Sequence, residues 1–296
     1  MNLVQLVEWA KDKSRFQTIE DYTAFCEEYL SFIFDGLQAV IVSQNENHYH
    51  FFQYREEGYY NVSRPINSNL MISLDGFQDA KNNFYYTLHH IREIQDNVEF
   101  RQNINNFVYT CQQAIGAALD ALPAGESNKA RKINGDLFEG YIRLILRKIG
   151  IDVHDGVIDV PVIVDNEELF RMKYQHDLIV EYEGEIRAIG SVKTSSKDRL
   201  DKIFIDKFLY NRLTNATTPH FAIFLNDVQR RGHEPNYGIN TTFLSGHFKG
   251  YTIKLNPLDG VYYCDLRPNM RTDSILSEQI HSFDVLLTED IWRFIE

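Results

Sequence analysis

Between residues 129 and 225 the chain prescribes an order of elements that few folds satisfy. Residues 129–149, KARKINGDLFEGYIRLILRKI, place Ile133, Leu137, Tyr141, Leu144, Ile145 and Ile149 along one side of a helix, and Gly150 follows as a stop. Strand patterns come next at IDVHDGVIDVPVIV, YQHDLIVEY and EIRAIGSVK, with the Glu183-Gly184 pair making a tight turn between the last two. A helix is expected from about Lys197 to Leu213. The run TPHFAIFL, Thr218 to Leu225, is apolar almost without interruption, the mark of a strand covered on both faces. Helix, three strands with a hairpin, helix, strand is an α/β order built on a mixed central sheet. The whole chain is α+β, because the half that precedes it reads differently.

Residues 1–125 read mainly as helix, at VQLVEWA, at IEDYTAFCEEYLSFIFDGLQAVIV, at DAKNNFYYTLHHIREI and at NINNFVYTCQQAIGAALDAL. A short β patch is expected at NHYHFFQYREEGYYNV, where aromatic and polar residues alternate. The breaker cluster LPAGESN, with Pro123, Gly125 and Ser127, marks a boundary between a helical domain, 1–125, and an α/β domain, 126–296. A chain of 296 residues with 44% hydrophobic content can bury two modest cores. The tail adds strand-like pieces at INTTFLSGHFKGYTIKLNP and GVYYCDL and a closing helix near EDIWRFIE.

Several function classes find no support. No run of 18 or more apolar residues is present, and MNLVQLVEWAKDK lacks the pattern of a secretory leader, so the expectation is a cytoplasmic protein without a membrane partner. Cys26, Cys111 and Cys264 are odd in number and widely spaced, and read as buried free thiols. The ten histidines form no metal-binding spacing, and neither a Gly-rich phosphate loop nor a GxSxG elbow occurs. The net charge of −12 is unevenly spread. Residues 1–125 carry 8 basic and 16 acidic side chains, whereas 128–150 carry 6 against 2 and 187–212 carry 7 against 3. Two basic islands in an acidic chain suit a surface that faces an anion.

Four charged positions in the α/β segment are weighed together: Glu139 on the first helix, Asp177 on the second strand, Lys193 at the end of the third and Asp206 on the second helix. Asp177 and Lys193 stand at similar distances from the turn near Gly184, so they can be cross-strand neighbours projecting from one end of a sheet. Three of them have an ordinary explanation: a turn or edge residue for Asp177, a snorkelling or edge-protecting lysine for Lys193, a helix-surface pair for Glu139.

Taken together, NKARKINGDLFEGYI (128–142), HDLIV and GSVKTSSKDR resemble the PD-(D/E)xK nuclease superfamily and, within it, type II restriction endonucleases, over roughly residues 128–226. The resemblance implies a restriction-endonuclease-like αβββαβ core. It implies that Asp177 binds metal, that Lys193 orients or helps deprotonate the attacking water, and that Mg²⁺ bridges that water and the scissile phosphate. His176 stands where the family usually has proline. Ser191 stands where a second acid is expected, and a serine cannot replace a carboxylate's charge. Glu139 is favoured as an active-site residue, with Asp206 held as a second candidate for the missing acid. Thr194, Ser195 and Ser196 precede the second helix, and one of them is a natural N-cap beside a phosphate, with Lys197 and Arg199 adding charge. In QRRGHEPNYG (229–238), Arg230 and Arg231 are expected to be exposed and suited to guanine edges, an ordinary charged loop being the alternative. The implied partners are double-stranded DNA, a second copy of the chain in a homodimer and a cognate DNA methyltransferase. A less specific or modification-dependent nuclease and a catalytically silent DNA-binding module are the alternatives.

Overall fold

The computed structural model describes residues 1–55, 62–197 and 199–296. In chain order its main elements are α1 (Leu3–Lys11), α2 (Ile19–Gly36), β1 (Leu37–Val42), β2 (Tyr49–Tyr54), β3 (Ile66–Asn67), α3 (Leu74–His89), α4 (Val98–Leu119), α5 (Ser127–Lys148) and β4 (Asp152–Val164). There follow β5 (Glu167–Tyr182), β6 (Glu185–Ser195), α6 (Leu200–Thr214), β7 (His220–Asn226), β8 (Val228–His233), β9 (Asn236–Thr241), α7 (Ser245–Lys254), β10 (Gly260–Tyr263) and β11 (Ile280–Ser282). Short helical pieces close the chain, ending in a π turn over Leu286–Asp290 and a last helical turn over Ile291–Ile295.

The chain divides into two compact units, Met1–Leu144 with Asp227–Thr242, and Ile145–Asn226 with Phe243–Glu296. The division falls inside α5 and not at the LPAGESN cluster, and the segment 227–242 returns to the first unit. Contact, not local breaker chemistry, draws that line. Up to Tyr141, α5 is tied to the N-terminal helices: the Tyr141 ring stacks on Tyr22, centroids 4.4 Å apart, and the Tyr22 hydroxyl donates to the Leu137 carbonyl at 2.8 Å.

In the first unit α4 is the central helix, buried almost all round from Ile104 to Leu119. α1, α2 and α3 pack on it. Such burial demands that its polar groups find partners. Gln112 donates to Asn134, and the Thr110 hydroxyl accepts the Ile72 N–H. Arg64 grips Asp120 at the end of α4 with two parallel bonds of 2.8 and 2.9 Å. α1 and α2 each begin with a capping box, Asn2 with Gln5 and Thr18 with Asp21.

One N-terminal expectation changes. LQAVIV, read as the end of a long helix, is β1: it pairs antiparallel with β2 and its exposure alternates along the strand. The Val-Ile-Val run follows β-branched preference once a partner strand is present. Residues 56–61 of the expected β patch lie outside the described residues, while Tyr49–Tyr54 is β2 and Val62 bridges to Gln53.

The second unit is built on a six-stranded sheet in the order β11-β10-β7-β6-β5-β4. β4, β5 and β6 run antiparallel, whereas β6, β7, β10 and β11 run parallel. This is the mixed sheet expected from the sequence. β7, with all seven residues buried, is a central strand. α6 and α7 cover one face through Leu200, Ile203, Phe204 and Phe248 against Ala222, Phe224, Val261 and Tyr263. On the other face Phe294 stacks on Phe221 at 5.5 Å. The tight turn at Glu183-Gly184 is present, with φ of 55° and 79°. A second turn of the same kind, Asp165-Asn166 with φ of 51° and 67°, closes the β4–β5 hairpin, so β5 begins seven residues before the YQHDLIVEY run.

SGHFKGYTIK, expected to be strand, is the helix α7. Its alternation of apolar and polar residues is weak, and the deciding contact is Phe248, buried against Phe204 and Phe243. Among the described residues no helix is long and apolar enough to cross a membrane.

Candidate active site

Asp177 and Lys193 meet. The Lys193 ammonium forms an ion pair with Oδ2 of Asp177, and the same oxygen accepts the Val192 N–H at 2.9 Å. Both side chains are partly buried, Lys193 27% and Asp177 18% exposed, so the pair is shielded from bulk water yet reachable from outside.

The cause is an irregularity in β5. Against β4, His154 pairs with Ile179 and Gly156 with His176, so that Asp177 and Leu178 together oppose the single residue Asp155. That is a β-bulge, which re-aims side chains and interrupts pairing. The β5–β6 ladder accordingly stops at Leu178 and Gly190. Beyond it the Asp177 carboxylate takes the N–H of Val192 that a ladder carbonyl would otherwise have taken. Lys193 is held by the parallel ladder on its other side, where Ser191 and Lys193 register with Ala222 and Phe224.

Behind Asp177, His176 is buried in an aromatic cluster. Its ring lies parallel to Tyr174 at 6.0 Å and edge-on to Tyr210 of α6 at 6.0 Å, with His220 at 6.3 Å. Burial lowers the His176 pKa. The Asp206 and Asp177 carboxylates act in the opposite direction, and Lys202 adds to the lowering. His220 is buried more deeply and its pKa falls to about 4. Both imidazoles are therefore neutral near pH 7. The Tyr174-x-His176 alternation was visible in the sequence, but the partners Tyr210 and His220 come from other elements.

The remaining candidates fall as follows. Asp206, on α6, is partly buried and pairs with Lys202 one helical turn earlier; its charge reaches His176, the residue next to Asp177. Glu139 is partly buried on α5 and belongs to the first unit. The expected hydroxyl cap is not found. β6 runs on through Thr194 and Ser195, and α6 begins only at Leu200 with Arg199 as N-cap and no side-chain cap bond. The Ser195 hydroxyl instead accepts the Lys197 N–H at 3.2 Å, and Ser196 is buried. The parallel pairing of Ser195 with Asn226 extends the strand past the point where the hydroxyl run alone suggested a helix start. Lys197 and Arg199 are exposed. Arg231 is exposed as expected, whereas Arg230 is not: its guanidinium donates to the Val62 carbonyl at 3.0 Å and lies over the Tyr237 ring.

Among the described residues no group of three or more His, Cys, Asp and Glu side chains forms a ready metal cage. The donor paired with Lys193 is an oxygen, the Asp177 carboxylate, and Ser191 stands two residues before Lys193 on β6.

No protein-family model matches the chain, and no curated protein does. Among solved structures it is similar to the type IIP restriction endonuclease Kpn2I, at a TM-score of 0.73 and 16% identity over 99% of this chain and 97% of that one. This chain has the type II restriction endonuclease fold. A second structure, the restriction endonuclease PspGI bound to substrate DNA, matches at a TM-score of 0.41 and 11% identity over 73% of this chain and 92% of that one. The likeness to Kpn2I takes in the N-terminal half, for which the sequence offered no relative.

Proposed function

We propose that this protein is a Mg²⁺-dependent endonuclease that hydrolyses phosphodiester bonds of double-stranded DNA at a short specific sequence. The observation that carries the reading is the Asp177–Lys193 pair, formed at a β-bulge in a restriction-endonuclease fold. An ammonium fixed at a strand end by a carboxylate can hydrogen-bond an incoming water and offset the negative charge that builds on phosphorus. Its position is set by Asp177 and by the parallel strand behind it.

The donor set suits Mg²⁺, which favours oxygen ligands, keeps several waters and needs few protein carboxylates. Asp177 would hold it, with Asp206 of the same unit as the candidate for a second carboxylate. What supports Asp206 is its charge acting on His176, beside Asp177. Bound there, the ion would lower the pKa of a coordinated water and neutralise phosphate charge. Lys197 and Arg199, exposed just beyond the site, are suited to phosphates on either side of the cut. A palindromic target cut on both strands calls for a two-fold homodimer, and host DNA bearing the target calls for a cognate methyltransferase.

Plasmid digestion tests the reading. Discrete fragments are expected with Mg²⁺ and none with EDTA, and Lys193→Ala should abolish the fragments. Binding of DNA with no cleavage under any metal would instead favour the catalytically silent module, for which Ser191 is the motive. Cleavage unaffected by Lys193→Ala would remove the proposed site.

A further inference from the structure

β8 and β9 form a two-stranded antiparallel ribbon that belongs to the first unit, although the chain before it, through Asn226, and after it, from Phe243, belongs to the second. Register sorts its side chains. Val228, Arg230 and Gly232 pair with Thr241, Ile239 and Tyr237, while Gln229, Arg231 and His233 pair with Asn240, Gly238 and Asn236. Strand alternation puts the two sets on opposite faces.

The first set is used in the fold. Val228, Tyr237 and Ile239 pack with Tyr49, Phe51 and Val62, and Arg230 is held by the Val62 carbonyl and the Tyr237 ring. The ribbon is further clamped along β9. Asn45 exchanges two hydrogen bonds of 2.9 Å with the Ile239 backbone, and the Gln44 amide donates to Asn236 at 2.7 Å. Gly232, at φ 85°, allows the turn, since a side chain there would run into the Asn236 carbonyl.

The second set faces outward. Arg231, His233, Asn236 and Asn240 are exposed and Gln229 half-exposed. This face carries a guanidinium, an imidazole and amides, with no carboxylate and no large apolar group. Within Val228–Thr241 the only acid is Glu234, against Arg230 and Arg231, in a chain of net charge −12. A two-stranded ribbon fits the major groove of B-DNA, where Arg pairs bidentately with guanine and Asn or Gln with adenine. Rigid anchoring of such a face is what base reading requires, because hydrogen bonds that discriminate bases demand fixed donors.

We infer that the outward face of the β8–β9 ribbon enters the major groove and sets sequence preference, Arg231 reading a guanine and Asn240 an adenine, with Arg230 as a scaffold residue. The inference rests on the nuclease reading above. Its test is cleavage of a duplex library randomised over about ten base pairs, a major-groove span of roughly one helical turn, by the full-length protein with Mg²⁺, followed by sequencing of the cut ends. Arg231→Ala, Arg231→Lys and Asn240→Ala are compared with wild type. Wild type should enrich a motif, and both Arg231 variants should lose preference at one guanine position by about 5- to 150-fold, the loss of a bidentate base contact. Asn240→Ala should relax an adenine position. Arg231→Lys keeps the charge but not the fork, so loss of preference there excludes a merely electrostatic role. Variants that cut the wild-type motif with undiminished preference, or lose cutting equally at all sequences, overturn the inference while the nuclease reading stands. Wild type that cuts no duplex at all overturns the nuclease reading itself.

Discussion

A single oxygen of Asp177 accepts both a backbone N–H and the Lys193 ammonium, and this coincidence separates the pair from an ordinary surface ion pair. On the proposed function, Lys193→Ala should lower kcat for DNA cleavage by about 10²- to 10⁴-fold, the usual range for a positioned proton-transfer group, and Asp177→Asn should lower it at least as far by weakening the hold on Mg²⁺. Single-turnover assays at saturating enzyme would read this directly, and a change confined to KM would contradict it. His220 yields a prediction of another kind. In the fold its pKa is about 4 against an ordinary 6.5, so the unfolded chain takes up the proton first as pH falls. The stability tied to neutral His220 is complete above pH 6.5 and is lost between 6.5 and 4, up to about 3 kcal/mol. Urea unfolding of wild type and His220→Asn should show a gap that narrows across that window; a gap independent of pH would rule out His220 as the source. Asp177 and Lys193 were legible in the sequence from their positions about the Glu183-Gly184 turn. The surroundings of His176 were not, because Tyr210 and His220 reach it only through packing.

At the scale of elements, turn chemistry was readable and register was not. Glu183-Gly184 announced its hairpin, and Asp165-Asn166 carries the same chemistry at the far end of β5. The bulge at Asp177-Leu178 has no local signature, since it exists only as a mismatch in count between β4 and β5. LQAVIV and SGHFKGYTIK exchanged helix and strand for similar reasons: a partner strand claimed the first and the Phe204–Phe243 core the second. Gly190 in β6 shows how closely these strands are packed. A Cβ there would meet the Phe221 ring at 2.6 Å and the Leu178 side chain at 2.9 Å. Gly190→Ala should therefore destabilise the protein by about 1–3 kcal/mol, the usual cost of overpacking a buried strand. Thermal unfolding would detect it, and an unchanged midpoint would show that Phe221 and Leu178 can move aside.

For the whole molecule, the boundary between units cuts α5 and sends residues 227–242 back to the first unit. A fragment 126–296, cut where the breaker cluster suggested, would leave Tyr141 without Tyr22, and Val228, Tyr237 and Ile239 without Tyr49 and Phe51. It should fail to unfold cooperatively in a denaturant titration followed by circular dichroism, and a sharp transition in that fragment would refute the expectation. The sequence by itself determined the order of helix, strands, helix and strand from 129 to 225, the buried strand TPHFAIFL, and the acid and lysine about one hairpin, because periodicity and turn residues act over a few positions. Only the tertiary structure decided the bulge that brings Asp177 to Lys193, the capture of Arg230 by the core, and which unit each segment joins. Those outcomes depend on pairing between residues far apart in the chain, and no local pattern encodes which distant partner a side chain will meet.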